Sequence, residues 1–263
     1  MPPVWYSPPG PPPKLYHDTG KEFVDENADR NPRSSIEPLL SAILTVDATF
    51  DFTKIDLIAD RRVLATILAL FHDNNPGGRK RFEPFTLSVQ VIGRTVILSH
   101  YDIATRRSSG HHMHYRYAFE REYTMLRPEA QRSASHYRVL RYRLGGLWLL
   151  VRYGIEAFVS DTYDEKEDNK GDASNDTNDM VTGLVPHRKP EALQRPSPKV
   201  DDPLIAAGVT VVEGGVTVRQ DQVIEIKTRW FHSDAATAMT TIRAPKLWLG
   251  QVEQLVVGSY VSL

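Results

Sequence analysis

Residues 223–229 read Val-Ile-Glu-Ile-Lys-Thr-Arg, and this short segment is the most informative part of the chain. Because alternate side chains of a β-strand share a face, the segment predicts a strand with Ile224 and Ile226 in a core. Glu225 and Lys227 then lie together on the other face. A carboxylate beside an ammonium group on a buried strand favours phosphoryl chemistry with a divalent metal. An edge strand with a solvated ion pair gives the same pattern, and both interpretations stay open at this point.

The composition describes a chain that can bury a full-sized core, with 263 residues of which 41% are hydrophobic. There are no cysteines, which excludes a disulfide scaffold, a thiolate zinc site and a cysteine nucleophile. No apolar run approaches about 18 residues, so we expect neither a membrane span nor a membrane partner.

The organisation of the chain predicts one domain over residues 35–263, preceded by a proline-rich extended arm over residues 1–34. Residues 160–203 are polar, acidic and almost without apolar periodicity, which predicts a disordered insertion. We expect this insertion to lie within one sheet, because the preceding strand ends in Glu156 and the following one carries Glu225 and Lys227.

Helical and strand patterns alternate along the rest of the domain. Apolar residues at helical spacing predict a helix that starts at Asp60, and a hairpin around Gly93 joins residues 85–92 and 95–99. Strands are predicted at 137–144, 147–159 and 223–229, and a helix at 245–254 precedes a last strand at 255–260. The pattern indicates the α/β class (mixed α+β), with one central mixed β-sheet flanked by helices.

Five short segments, in order along the chain, resemble the motif series of the decapping exoribonuclease (DXO) family. Arg61 matches an early arginine, Glu120 and Glu156 match acidic residues of the next two motifs, and Glu225-Ile226-Lys227-Thr228 matches the fourth. A helix with Gln251 closes the series, and the resemblance covers most of residues 55–260. It implies a nuclease-like core related to the PD-(D/E)xK type and removal of incomplete caps, triphosphates or NAD from RNA 5′ ends.

The resemblance also implies roles for individual residues, a cofactor and partners. The catalytic residues would be Glu225, Lys227 and Gln251; the metal ligands Glu120, Glu156 and Glu225; and the substrate-binding residues Arg61, Glu120, Arg141 and Arg143. For Arg141 and Arg143 a plain surface role is favoured over substrate binding. The implied cofactor is Mg²⁺ or Mn²⁺, and the implied partners are an RNA 5′ end and a 5′–3′ exoribonuclease. The implied location is the nucleus, with the cytoplasm as the alternative.

Three departures from the motif series bear on activity. Arg116 stands where the family has glycine, Gly154 stands where it has the first carboxylate of the third motif, and Glu156 replaces an aspartate. Mg²⁺ requires near-octahedral oxygen ligands at about 2.0–2.1 Å, so the loss of one carboxylate weakens such a site. The alternative function is therefore a relative that binds RNA or a protein partner without catalysis, and an unrelated DNA nuclease is a third hypothesis.

Overall fold

The computed structural model describes residues 1–7, 10–72, 84–101, 104–108, 115–130, 133–160, 185–186, 209, 217–230 and 244–261. In these ranges the fold is mixed α/β, which confirms the predicted class. The strands, however, form two mixed sheets and a two-stranded ribbon instead of one central sheet.

The strands are, in chain order, β1 (Val4–Trp5), β2 (Lys21–Phe23), β3 (Leu57–Asp60), β4 (Thr86–Ile92), β5 (Thr95–Tyr101), β6 (Arg106–Ser108), β7 (Thr124–Leu126), β8 (Tyr137–Leu144), β9 (Leu147–Gly154), β10 (Ala157–Phe158), β11 (Val185–Pro186), β12 (Val223–Trp230) and β13 (Gln254–Tyr260). The helices are α1 (Glu26–Arg30), α2 (Glu37–Val46), α3 (Arg61–His72), α4 (Arg116–Glu122) and α5 (244–249). None of the helices in the described ranges is long and apolar enough to cross a bilayer.

The five-stranded sheet has the order β4-β5-β3-β9-β8. The sheet contains the predicted β4–β5 hairpin around Gly93 and a β8–β9 hairpin around Gly145 and Gly146. All three glycines have positive φ, which a residue without a Cβ adopts at little cost. Strand β3 runs parallel to both neighbours, so the carboxyl ends of β3 and β9 meet at one edge of the sheet.

The six-stranded sheet has the order β11-β7-β1-β10-β12-β13. Strand β12 pairs in parallel with β13 from Ile224 to Trp230, and its first two residues pair with the short strand β10. Ile224 and Ile226 are buried in a cluster with Ala157, against which Trp5 and Phe119 pack. The predicted alternation of faces along residues 223–229 is therefore confirmed.

The N-terminal segment corrects one expectation. Residues 1–34 were expected as an extended arm outside the domain, but Val4–Trp5 form strand β1 between β7 and β10. Val4 is 0% exposed and belongs to the core cluster around Tyr153 and Phe158. Residues 161–184 and 187–208, which make up most of the predicted insertion, lie outside the described residues.

Candidate functional site

The candidate site is built on Glu225 and Lys227, the two polar residues of strand β12 that the alternation predicted to share a face. Their side chains are 6% and 9% exposed, and Lys227 Nζ lies 2.9 Å from Glu225 Oε1. Lys227 Nζ also donates to the carbonyl of Ile226, at 2.7 Å. Two buried charges this close are stable only because each has further partners, and those partners make up the rest of the site.

Glu156 reaches the same lysine from the turn between β9 and β10. Its Oε1 lies 2.7 Å from Lys227 Nζ, and its Oε2 accepts the backbone N–H of Ile226. Strand β10 begins at the next residue and pairs Ala157 with Ile224. The Glu156 carboxylate therefore accepts a hydrogen bond from the backbone of β12, two residues after the point at which β12 stops pairing with β10.

Arg61 is the first residue of α3 and approaches Glu225 from the five-stranded sheet. Its Nη1 and Nη2 donate to the two carboxylate oxygens of Glu225, at 2.9 and 3.2 Å. The guanidinium carbon lies 4.8 Å from the centre of the Tyr153 ring, so the ion pair rests on an aromatic face. The structure thus places Arg61 at the site, with its fork geometry used on a carboxylate of the chain itself.

Arg116 connects Glu120 to the same cluster. Its Nε lies 2.7 Å from Glu120 Oε1, and its Nη2 lies 2.6 Å from Glu156 Oε1. Glu120 follows one turn later on α4, so the first contact is an i,i+4 pair and the second joins two elements. The three predicted acidic residues are thereby brought into one network, with Arg116 and Lys227 as the connecting cations.

The pKa of Glu225 is governed by its two cations. Burial alone would raise the pKa of this carboxyl, but Lys227 and Arg61 outweigh burial and hold the pKa at about 2. Glu225 is therefore ionised at neutral pH.

Glu120 has the opposite behaviour. Burial raises the pKa of Glu120 to about 7, and the Glu156 carboxylate adds to the rise while Arg116 opposes it. Burial lowers the pKa of Arg116, but Glu120 and Glu156 outweigh that effect and raise it above its ordinary value. Near pH 7 the network therefore holds charged Arg116, while Glu120 is close to its titration midpoint.

The network borders a cleft of about 620 Å³ between the ends of β3 and β9, α1 and α4. Its wall contains six arginine or lysine side chains and five aspartate or glutamate side chains, so its net charge is close to zero. Aromatic rings also line it, among them Phe23, Tyr117 and Tyr137. A cleft with cations and aromatic faces can receive a phosphate and stack a base.

Three predicted site residues lie elsewhere. Helix α5 ends before Gln251, which has a φ of 48° and donates from Nε2 to the carbonyl of Trp248 at 2.6 Å. Arg141 packs over the Trp148 ring at 4.5 Å, and Arg143 donates to the carbonyl of Gly146. None of the three lines the cleft. Gln251, predicted as catalytic, and Arg141 and Arg143, predicted as substrate-binding, therefore lie outside the cleft.

The predicted metal set Glu120, Glu156 and Glu225 does not fit a divalent ion as arranged. Each carboxylate is already bound by arginine or lysine, and Arg116 lies between two of them. Throughout the described ranges, no group of three or more aspartate, glutamate or histidine side chains is placed to hold a metal. Gly154 adds no ligand, because it has no side chain.

Two supporting residues were not predicted from the sequence. Tyr153 lies under Arg61, and Asp18 accepts the backbone N–H groups of Tyr117 and Ala118 at 2.9 and 2.8 Å. Asp18 is buried and fixes the start of α4. No local pattern announces it, since about a hundred residues separate Asp18 from the helix that it caps.

Comparisons with known proteins place the chain in a family. A family model described as a domain of unknown function (DUF8563) matches residues 3–262. The chain belongs to this family. No match was found among curated proteins.

Solved structures share the fold at low sequence identity. Rai1 from S. pombe has a TM-score of 0.51 and 9% identity, with 99% of this chain and 64% of that chain covered. Rai1 from Scheffersomyces stipitis has a TM-score of 0.51 and 12% identity, with 98% and 64% covered. The same protein in complex with (3'-NADP)+ and a calcium ion has a TM-score of 0.50 and 12% identity, with 98% and 60% covered.

These similarities confirm the resemblance to the decapping exoribonuclease family at the level of fold. The DUF8563 chain spans less than two thirds of the length of these Rai1 proteins.

Proposed function

We propose that the chain binds the phosphorylated 5′ end of single-stranded RNA in the cleft beside Glu225 and Lys227. One observation carries the proposal: in a Rai1-like fold, charged side chains of α3, α4 and the β9–β10 turn line this cleft, and they are ion-paired with Glu225 and Lys227 of β12. The terminal phosphates would contact the cations of the wall, and the first base would stack on its aromatic rings.

The near-neutral wall sets the expected strength of binding. Six basic side chains against five acidic ones give little long-range attraction, so affinity depends on direct contacts and falls with added salt. Arg121 on α4 and Lys246 on α5 line the cleft and are half-buried. We therefore expect these two side chains to contribute to phosphate binding.

The test is fluorescence anisotropy at low salt with one short RNA that carries a 5′ triphosphate, a 5′ monophosphate or a 5′ hydroxyl. We expect the phosphorylated ends to bind more tightly, and R121A and K246A each to lose about tenfold in affinity for the triphosphate end. R143A is the matched control, because Arg143 is an exposed arginine outside the cleft. Equal affinity for all three ends would overturn the proposal, and tighter binding of the matching DNA would favour the third hypothesis.

A second candidate, metal-dependent hydrolysis of RNA 5′ ends, is favoured by the contacts of Lys227 with both Glu156 and Glu225. Such an enzyme would use Mg²⁺ or Mn²⁺, and Gly154 is the position at which the motif series has a further carboxylate. A Cβ at Gly154 would meet the carbonyl of His136 at 3.9 Å, which is ordinary van der Waals contact.

The test of this candidate incubates the parent chain and G154E with triphosphate-, cap- and NAD-ended RNA in Mn²⁺. Release of the 5′ group by the parent would establish hydrolysis. If G154E alone were active, the site would be a degenerate form of a hydrolase, and two inert proteins would leave binding as the function. A 5′–3′ exoribonuclease partner stays a prediction of the resemblance.

A further inference from the structure

We infer that the guanidinium of Arg116 takes the place of a divalent cation between Glu120 and Glu156 and excludes such an ion from these two carboxylates. The inference deepens the proposed function, since it concerns the same site, but its test uses the metal alone and requires no RNA.

The contacts of Arg116 are the first support. Two of its nitrogens, Nε and Nη2, lie at 2.7 and 2.6 Å from one oxygen each of Glu120 and Glu156. These distances are typical of charge-assisted hydrogen bonds. Each bond occupies one carboxylate oxygen that a bound metal would need as a ligand. The guanidinium thus neutralises two acidic groups that belong to different elements.

Glu225, the third carboxylate of the network, is also bound by cationic side chains. Lys227 bridges Glu156 and Glu225, and Arg61 holds both oxygens of Glu225. Three cations therefore face three carboxylates. A hard divalent ion is attracted by an excess of negative charge, and this network has none to offer.

The fold holds Arg116 in this position. It is the first residue of α4, and Asp18 fixes the start of that helix through the next two backbone N–H groups. The Arg116 side chain is 46% exposed, so it closes the network on the side of the cleft, whereas Lys227 and Glu225 lie deeper. The backbone at the start of α4 is therefore fixed, and from this position the Arg116 side chain reaches both carboxylates.

Variants that lack the Arg116 bridge test the inference directly. They are titrated with Mn²⁺, and binding is measured by calorimetry and by the rise in unfolding temperature. We expect the parent to bind Mn²⁺ at least about tenfold more weakly than R116Q and R116A, because each variant removes a positive charge next to two carboxylates. R116K keeps the charge and should behave as the parent. E156Q added to R116Q should abolish the gain.

R121A is the matched control, since it removes the same charge from the same helix and from the same cleft wall. R116Q keeps a polar side chain at this position, so it tests the loss of the charge even if R116A unfolds. Mn²⁺ binding by the parent as tight as by R116Q would overturn the inference, and so would an equal gain in R121A or no gain in either Arg116 variant. RNA binding is measured separately, so its failure would overturn the proposed function alone.

Discussion

Glu225→Gln is the perturbation whose effect follows most directly from the structure. Glu225 is buried and accepts hydrogen bonds from Arg61 and Lys227, whose side chains are 12% and 9% exposed. The amide of glutamine has nearly the same shape but no charge. The substitution therefore leaves Lys227 with Glu156 as a carboxylate partner. Within the part of the chain that the structure describes, it leaves Arg61 with no carboxylate partner.

Two lines of reasoning give similar magnitudes for this loss. Removal of one partner from a buried ion pair costs about 3–5 kcal/mol. Independently, a pKa held at about 2 in place of 4.5 corresponds to about 3 kcal/mol at neutral pH. We expect E225Q to lower the free energy of unfolding by about 3 kcal/mol at pH 7.

The pH dependence provides a sharper check. Because the folded pKa of Glu225 is lowered, its contribution is fully present above the unfolded pKa and is lost as the pH falls towards about 2. The difference between parent and E225Q, measured by urea unfolding, should shrink to about 1 kcal/mol at pH 3. D221N is the control, because Arg219–Asp221 is an exposed ion pair, and its unfolding midpoint should match that of the parent. A difference that does not change between pH 7 and pH 3 would refute the reasoning.

Three further predictions concern the surroundings of the network. Because burial raises the folded pKa of Glu120 from 4.5 to about 7, its contribution to the free energy of unfolding is lost as the pH rises between these values. E120Q should reduce this loss by up to about 3 kcal/mol, measured by urea unfolding at several pH values. G258A should lower the free energy of unfolding by about 1–3 kcal/mol, because a Cβ at this position would lie 2.7 Å from Phe119 Cζ. G154A has room for its Cβ and should leave the free energy of unfolding unchanged, so equal losses in the two variants would contradict the packing argument. D18A should cost about 1–2 kcal/mol through the lost helix cap, and an unchanged urea midpoint would contradict that role.

The strand that carries Glu225 and Lys227 could be predicted from sequence because its information is local. Alternation places two isoleucines on one face and two charges on the other, whatever the neighbouring strands are. The β4–β5 hairpin is predictable for the same reason, since its turn glycine and both strands lie within a few residues.

Strand β1 could not be predicted in this way. Its two residues stand in a proline-rich segment, and their partners β7 and β10 lie more than a hundred residues away. Only tertiary pairing makes Val4 a core residue, and the local composition argues for an extended arm. The same limit applies to Asp18 and its cap on α4.

The charge pattern of β12 predicted Glu225 and Lys227, whereas Arg61, Glu120 and Glu156 were predicted from the motif series. The structure brings these five residues into one network, and Gln251, Arg141 and Arg143 lie outside the cleft. Gln251 was placed on the closing helix of the motif series, but the helix ends before this residue, which takes a left-handed conformation. Arg141 and Arg143 share a face of β8, and alternation along a strand does not tell which face looks into a cleft. The role of Arg116 needed three dimensions, because Glu156 lies 40 residues further along the chain.

The most direct test of the central claim is to locate a bound RNA 5′ end. A short triphosphate RNA with 4-thiouridine as its first nucleotide would be cross-linked to the parent chain, and the attached residues mapped by mass spectrometry. The account predicts cross-links to residues that line the cleft, such as Phe23, Tyr117 and Tyr137, in buffer that contains EDTA. Cross-links confined to the β8–β9 hairpin tip around Trp148, or labelling that requires added metal, would contradict it.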